Sequence, residues 1–144
     1  MRAPEPELPT VRSSLLIHRA PAPATVAVAE GVAFGLRDGL QTLGSSEPAL
    51  QSLSLVGGGA RDAWWAQLLS DALGLRLTLH EGAETGAALG AARLAWLACG
   101  AELNEVCTTP PVSRSFAPDV SLRALLSNRH ARFQAIYRAC SSLY

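Results

Sequence analysis

An apolar run that breaks into three glycines and then opens a helix constrains this chain more than any other feature: Leu53-Ser54-Leu55-Val56-Gly57-Gly58-Gly59-Ala60-Arg61-Asp62. Glycine lacks a Cβ, so the backbone can turn sharply and a ligand can approach it closely. The helix that follows offers unpaired N–H groups and the positive end of its dipole, which suits phosphate or nucleotide. The same three glycines also make an ordinary tight strand-to-helix connection. The surrounding pattern has to decide between these readings.

That pattern is a β-α-β unit. Leu53 to Val56 reads as a short strand, and a helix from about Arg61 to Leu73 follows, with Trp64/Trp65, Leu68/Leu69 and Ala72/Leu73 as its buried stripe and Gly74 in the C-cap position. Leu75 to Leu79 alternates Leu, Arg, Leu, Thr, Leu, the period of a half-buried strand. Gly86 to Cys99 reads as a helix with Thr85 as N-cap and Gly100 past its end. One side of it is almost entirely Gly and Ala, so it can lie close to another backbone or to a flat ligand. Upstream, Val28, Val32, Leu36, Leu40 and Leu43 recur every three or four positions, which predicts an amphipathic helix over Ala24 to Leu43 stopped near Gly44. Thr108 to Asp119, with three prolines, reads as a loop, and Val120 to Cys140 as a final helix with Leu122, Leu126, Phe133, Ile136, Tyr137 and Cys140 on its apolar side. Residues 1–23 carry five prolines and little periodicity, an irregular leader with a short extended piece at Ser14 to Ile17.

Charge and composition exclude several function classes. The 144 residues suffice for one cored domain, and twelve basic against twelve acidic residues leave no surplus to draw nucleic acid or an anionic membrane. All twelve basic residues are Arg, so neither a Walker-type phosphate lysine nor a Schiff base can come from this chain. A dinucleotide fingerprint would need a small residue where Asp62 stands, because an acid there obstructs helix packing and repels pyrophosphate. Cys99, Cys107 and Cys140 lack metal-ligand or disulfide-framework spacing, and no apolar run reaches the roughly 18 residues that span a bilayer. The expectation is an unexported protein of the reducing cytoplasm. Asp62 reads as a solvent-facing acid of a first helical turn, at least one of Trp64 and Trp65 as a core residue, and His18, His80 and His130 as structural.

Taken in order, several blocks resemble the C-terminal end of the FGGY-type carbohydrate kinases, most closely their xylulokinase branch. They are Ala27-Val28-Ala29-Glu30-Gly31-Val32-Ala33-Phe34, then Leu55 to Arg61 with Trp65, then Gln67 to Gly74, and Gly86-Ala87-Ala88-Leu89-Gly90-Ala91-Ala92-Arg93-Leu94-Ala95. The resemblance implies an α/β, actin-like, ribonuclease-H-like ATPase fold, of which this chain would be the incomplete, nucleotide-side C-terminal domain over residues 24–144. It further implies ATP and Mg²⁺ as cofactors and a ketose or polyol, D-xylulose or a relative, as phosphate acceptor. Gly58 and Gly59 would bring N–H groups to the phosphates and ribose, Gly57 would supply the turn, and Ala60 would line the site. Ala63 completes the set; some relatives place an Asn there near the adenine, so a methyl at this position leaves only backbone contacts. In that family the catalytic Asp and the sugar site precede the region matched, so no catalytic residue and no metal ligand is assigned here. The resemblance therefore implies a portion inactive by itself that pairs with an N-terminal kinase half or self-associates; the alternative is a non-catalytic nucleotide-binding or vestigial module.

Overall fold

The computed structural model describes residues 23–44 and 50–141. The readings of the leader up to residue 22, of His18 and of the turn around Ser45 to Pro48 lie outside the described residues.

A three-stranded sheet in the order β1-β2-β3 forms the centre, with β1 at Ser52–Ser54, β2 at Arg76–His80 and β3 at Val112–Phe116. β1 runs parallel to β2, pairing Ser52 with Arg76 and Ser54 with Thr78, and the crossover between them contains the glycine turn and helix α2, Ala63–Leu73. This is the β-α-β unit expected from the sequence. α2 ends at Gly74, whose φ of 69° is left-handed, and the Gly74 N–H donates to the Ser70 carbonyl at 2.9 Å.

β3 lies within 108–119, where the prolines predict a loop and not a strand. It pairs antiparallel with β2, Leu77 opposite Phe116 and Thr78 opposite Ser115, with an irregularity between Leu79 and His80. Only Phe116 of β3 is buried, so an edge strand reading Val-Ser-Arg-Ser between prolines carries almost no apolar alternation. Three further stretches were not anticipated: a 3-10 turn at Ala83–Thr85, a single helical turn, α4, at Leu103–Val106, and a 3-10 turn at Val120–Leu122 that delays the last helix, α5, to Arg123–Ser141.

α2 is the hub. Its Ala66, Leu69 and Ala72 are buried with Leu77 and Leu79 of β2, Phe116 of β3, Leu126 of α5, and Ala33 and Phe34 of helix α1, Pro23–Leu43. Two buried polar groups on α2 close the hub. The Ser70 hydroxyl donates to the Leu75 carbonyl at 2.8 Å, and Asp71 accepts from Gln67 Nε2 and from the Asp119 N–H, each at 2.8 Å. Burial pushes the Asp71 carboxyl above its ordinary range, partly offset by those two hydrogen bonds.

α1 reverses the expected sidedness, whereas α5 keeps Leu126 and Phe133, and the 3-10 turn before it keeps Leu122, against the core as expected. The stripe expected to face the core stands out in solvent, with Val28 69%, Val32 52% and Leu36 51% exposed, while Ala33 and Phe34 turn inward. Polar groups join α1 to α5. Arg129 pairs with Glu30, and the buried His130 meets Asp38 Oδ1 through Nε2 at 2.7 Å beside Gln134 Nε2 at 2.6 Å. The His130 ring also tilts against Phe34, with centroids 5.4 Å apart. Ile136 and Tyr137 of α5, expected on its apolar side, are exposed.

Candidate nucleotide site

The glycine turn is built by three different local causes. Gly57 has φ 90° and ψ −172°, a conformation L side chains rarely adopt, and its N–H is taken by the Ala83 carbonyl at 2.7 Å. Gly58 and Gly59 open a 3-10 turn over Gly58–Arg61, and among the described residues their own N–H groups meet no protein acceptor. A Cβ on Gly58 would enter open space, whereas one on Gly59 would lie 2.9 Å from Nε1 and 3.0 Å from Cδ1 of Trp65. So Gly58 is free on its outer side, and Gly59 is glycine because an indole covers it.

Asp62 closes the turn. Its carboxylate accepts from the Trp64 N–H at 2.9 Å and the Trp65 N–H at 3.2 Å, the N-cap arrangement that satisfies the first amides of α2. This is a structural role for the acid, one residue before the helix rather than within its first turn. Both tryptophans are half-buried, and Trp65 packs against the core.

Of the five candidate residues, Gly57, Gly58 and Gly59 come together at an accessible turn. Ala60 is buried in the core cluster, with its N–H bonded to the Gly57 carbonyl at 3.0 Å, and Ala63 packs against the same cluster from the first position of α2. The groups available to a ligand at the turn are therefore main-chain amides of Gly58 and Gly59.

Helix α3, Gly86–Ala98, approaches the turn closely. A Cβ on Gly86 would stand 3.0 Å from the Gly57 nitrogen and 3.2 Å from its Cα, and Gly86 has φ 33°. The small residue here is required for backbone-to-backbone packing, while Gly90, one turn on, has nothing within 4 Å. Thr85 does not cap α3 as expected; it sits in helical geometry and its Oγ1 donates to the Gly82 carbonyl at 2.6 Å. Beside α3 lies a cleft bordered by Val56, His80, Gly82, Gly86, Leu89 and Pro110, with Gly57, Gly58 and Gly59 not among its lining residues, and its volume is about 170 Å³. That is below the roughly 300 Å³ at which drug-sized ligand sites begin.

Two tethers hold the loop beyond this cleft. Arg93 donates to the Thr108 carbonyl at 2.7 Å. His80 lies between the Pro110 carbonyl, 2.7 Å from Nδ1, and Ser54 Oγ, 3.1 Å from Nε2. A carbonyl only accepts, so Nδ1 carries the proton. The bridge joins β1, which feeds the glycine turn, to the segment entering β3. A histidine ending an alternating strand gave no sequence signal for this, because both partners are remote. The described residues contain no group of three or more His, Cys, Asp or Glu side chains able to hold a metal ion, and no described helix is long and apolar enough to cross a membrane.

Comparison with known proteins converges on one family. The sequence model for the C-terminal domain of the FGGY family of carbohydrate kinases matches residues 1–99. The xylulose kinase of Escherichia coli (strain K12) is 39% identical over 114 residues, covering 78% of this chain and 24% of the relative. That of Klebsiella pneumoniae is 34% identical over 116 residues, covering 79% of this chain and 24% of the relative. A solved structure from Brucella ovis, described as a xyloylose kinase, superposes with a TM-score of 0.71 at 38% identity, covering 90% of this chain and 27% of that one. A xylulose kinase from Lactobacillus acidophilus, at 22% identity, 82% of this chain, 24% of that chain and a TM-score of 0.63, shares the fold. This chain thus spans about a quarter of the length of the relatives it matches. Its architecture is part of the α/β, actin-like, ribonuclease-H-like ATPase fold. With the family model covering well over half of its residues, the chain belongs to the FGGY family of carbohydrate kinases, matching that family's C-terminal domain.

Proposed function

We propose that this chain supplies the nucleotide side of a xylulose kinase-like enzyme that transfers phosphate from ATP to D-xylulose or a related ketose or polyol. The observation that carries the reading is the pair of Gly58 and Gly59 amides, without an acceptor among the described residues at an accessible strand-to-helix turn. Main-chain amides at such a turn hold phosphate oxygens without any side-chain charge, which fits a chain with no lysine. The amides would orient the nucleotide; the indole of Trp65 and the methyl of Ala60 would keep that turn rigid from beneath. Mg²⁺, when bound with ATP, would neutralise phosphate charge.

In this reading residues 24–144 form the domain, after the leader 1–23. The base that accepts the sugar proton and the sugar pocket belong to the preceding portion of the kinase, so this chain by itself turns nothing over. It works paired with that portion, in a reducing cytoplasm that suits three exposed free thiols, Cys99, Cys107 and Cys140.

Thermal unfolding with a non-hydrolysable ATP analogue tests the site. Binding to the native state alone adds about 2.7 kcal/mol at a hundredfold excess over Kd, a readily measured rise in Tm. Absence of any rise at millimolar nucleotide overturns the assignment. Assay of the purified chain with ATP, Mg²⁺ and D-xylulose should yield no sugar phosphate, and turnover would show that a catalytic base lies within it. Nucleotide binding that never supports turnover, even with the preceding portion supplied, would favour the non-catalytic module.

A further inference from the structure

The ends of β1 and β2 reach the glycine turn in step. Register pairing of the two strands stops at Ser54 opposite Thr78, and the Leu55 N–H still donates to the Thr78 carbonyl at 2.9 Å. From there the main chain of β2 is committed to the other edge: after the irregularity at Leu79, His80 pairs with Val112, and the Glu81 N–H donates to the Pro111 carbonyl at 3.0 Å. The His80 ring reaches back to β1 instead, with Nε2 3.1 Å from Ser54 Oγ. Three residues further along each segment, the Gly57 N–H donates to the Ala83 carbonyl at 2.7 Å. A side-chain rung and a main-chain rung thus follow one another at equal spacing, and the second fixes the residue that opens the turn.

The ring is itself held. Nδ1 donates to the Pro110 carbonyl at 2.7 Å, which leaves Nε2 of the neutral imidazole as the acceptor for the Ser54 hydroxyl. Ser54 is exposed, so this bond is exchanged for one to water at little cost to the fold, and its worth lies in where it holds the end of β1. We infer that His80 is a positioning residue of the nucleotide turn: by tying Ser54 to the segment that carries the Ala83 carbonyl, it keeps Gly57 in place and the Gly58 and Gly59 amides in one direction. His80 touches no ligand in this role and acts through Ser54 and Gly57. The inference rests on the proposed kinase reading for what the turn binds, but its first readout needs no nucleotide.

The experiment follows amide hydrogen exchange by NMR on the ¹⁵N-labelled full chain, since exchange of a bonded amide reports its local opening. The Gly57 amide, bonded to Ala83, is the reporter, and the Leu69 amide within the buried helix α2 is the control. His80→Ala and Ser54→Ala each speed Gly57 exchange by about fivefold to tenfold, the factor that one net hydrogen bond supplies, and leave Leu69 unchanged. The double variant exceeds neither. His80→Gln, whose amide reaches as far as Nε2, recovers most of the protection, whereas His80→Asn reaches only as far as Nδ1 and recovers little. Ser54→Ala, at an exposed position, tests the same bond should the His80→Ala chain fail to fold. Unchanged Gly57 exchange in Ser54→Ala overturns the inference, as does an equal rise at Leu69, which would make the loss global. Recovery by Asn in place of Gln overturns the Ser54 arm. Affinity for the non-hydrolysable ATP analogue should fall in His80→Ala by the same factor as Gly57 protection, and an unaltered Kd beside a loosened Gly57 overturns the link to the ligand. A Gly57 response in a chain whose wild type binds no analogue would refute the ATP assignment and leave the His80 tether standing, so the two failures are separable.

Discussion

Helices α2 and α3 begin from the same grammar, a glycine-rich approach followed by an apolar run, and reach opposite positions. α2 buries Ala66, Leu69, Ser70, Asp71 and Ala72 between the sheet and α1, whereas no residue of α3 is buried, and its Leu94 and Trp96 are 70% and 65% exposed. Capping differs as well, since Asp62 bonds two amides of α2 and Thr85 bonds none of α3. Hydrophobic content alone therefore did not decide burial. α2 is short, connects two paired strands and is forced across their face, while α3 leaves the sheet after β2 and touches the body through Gly86. A crossover between parallel strands has one place to go, and a helix outside it does not.

The contrast can be broken most strongly at Leu69. Leu69→Ala should cost about 2–5 kcal/mol in urea unfolding, whereas Leu94→Ala should stay within about 0.5 kcal/mol. Equal losses would mean that α3 is packed as tightly as α2.

Gly86 and Gly90 sharpen it next. A methyl on Gly86 meets the Gly57 backbone at 3.0–3.2 Å in a strained conformation, so Gly86→Ala should destabilise by about 1–3 kcal/mol and weaken binding of the ATP analogue. Gly90→Ala, in open space within a helix, should stabilise by about 0.5–1 kcal/mol without touching binding. Loss of nucleotide affinity from Gly90→Ala instead would place the ligand on the α3 face.

The caps give a smaller difference. Removing the Asp62 carboxylate with Asp62→Ala should cost about 1 kcal/mol, the ordinary value of an N-cap, while Asp62→Asn should recover most of it. An Asn variant as inactive in nucleotide binding as Ala would show that the charge, rather than the cap, matters.

Smallest is a pH effect confined to α2. The Asp71 carboxyl is raised by burial, so its native form holds a proton that the unfolded chain has already released as pH climbs past the ordinary Asp value. Wild type should lose stability between that value and the raised native one, and stay at the lower level above it. Asp71→Asn keeps an acceptor without the charge and should flatten this slope in a pH series of denaturant melts. An unaltered slope would trace the effect elsewhere. Asp38 acts in the opposite sense: burial raises it, but hydrogen bonds from Gln134 and His130 and the charges of His130 and Arg37 hold it lower overall, so its contribution disappears only as pH falls below the ordinary Asp range.

Much of the site was legible in the chain because local rules fix it. Strand, positive-φ glycine, cap and C-cap are decided within a few residues, and β1, the turn, α2, Gly74 and β2 follow in the expected order with boundaries shifted by one or two positions. β3 was hidden because an edge strand with one buried residue leaves no periodic trace, and the His80 bridge because its partners are 26 and 30 residues away.

By itself, then, the sequence determined which segments turn, which coil, and that lysine chemistry is absent. Tertiary structure decided which side of each helix meets the core. Periodicity says that α1 has an apolar stripe, but not that Ala33 and Phe34 would take the interior and leave Val28, Val32 and Leu36 outside. A stripe has no address until a partner surface exists, and in this chain the core is offered to Ala33 and Phe34 instead.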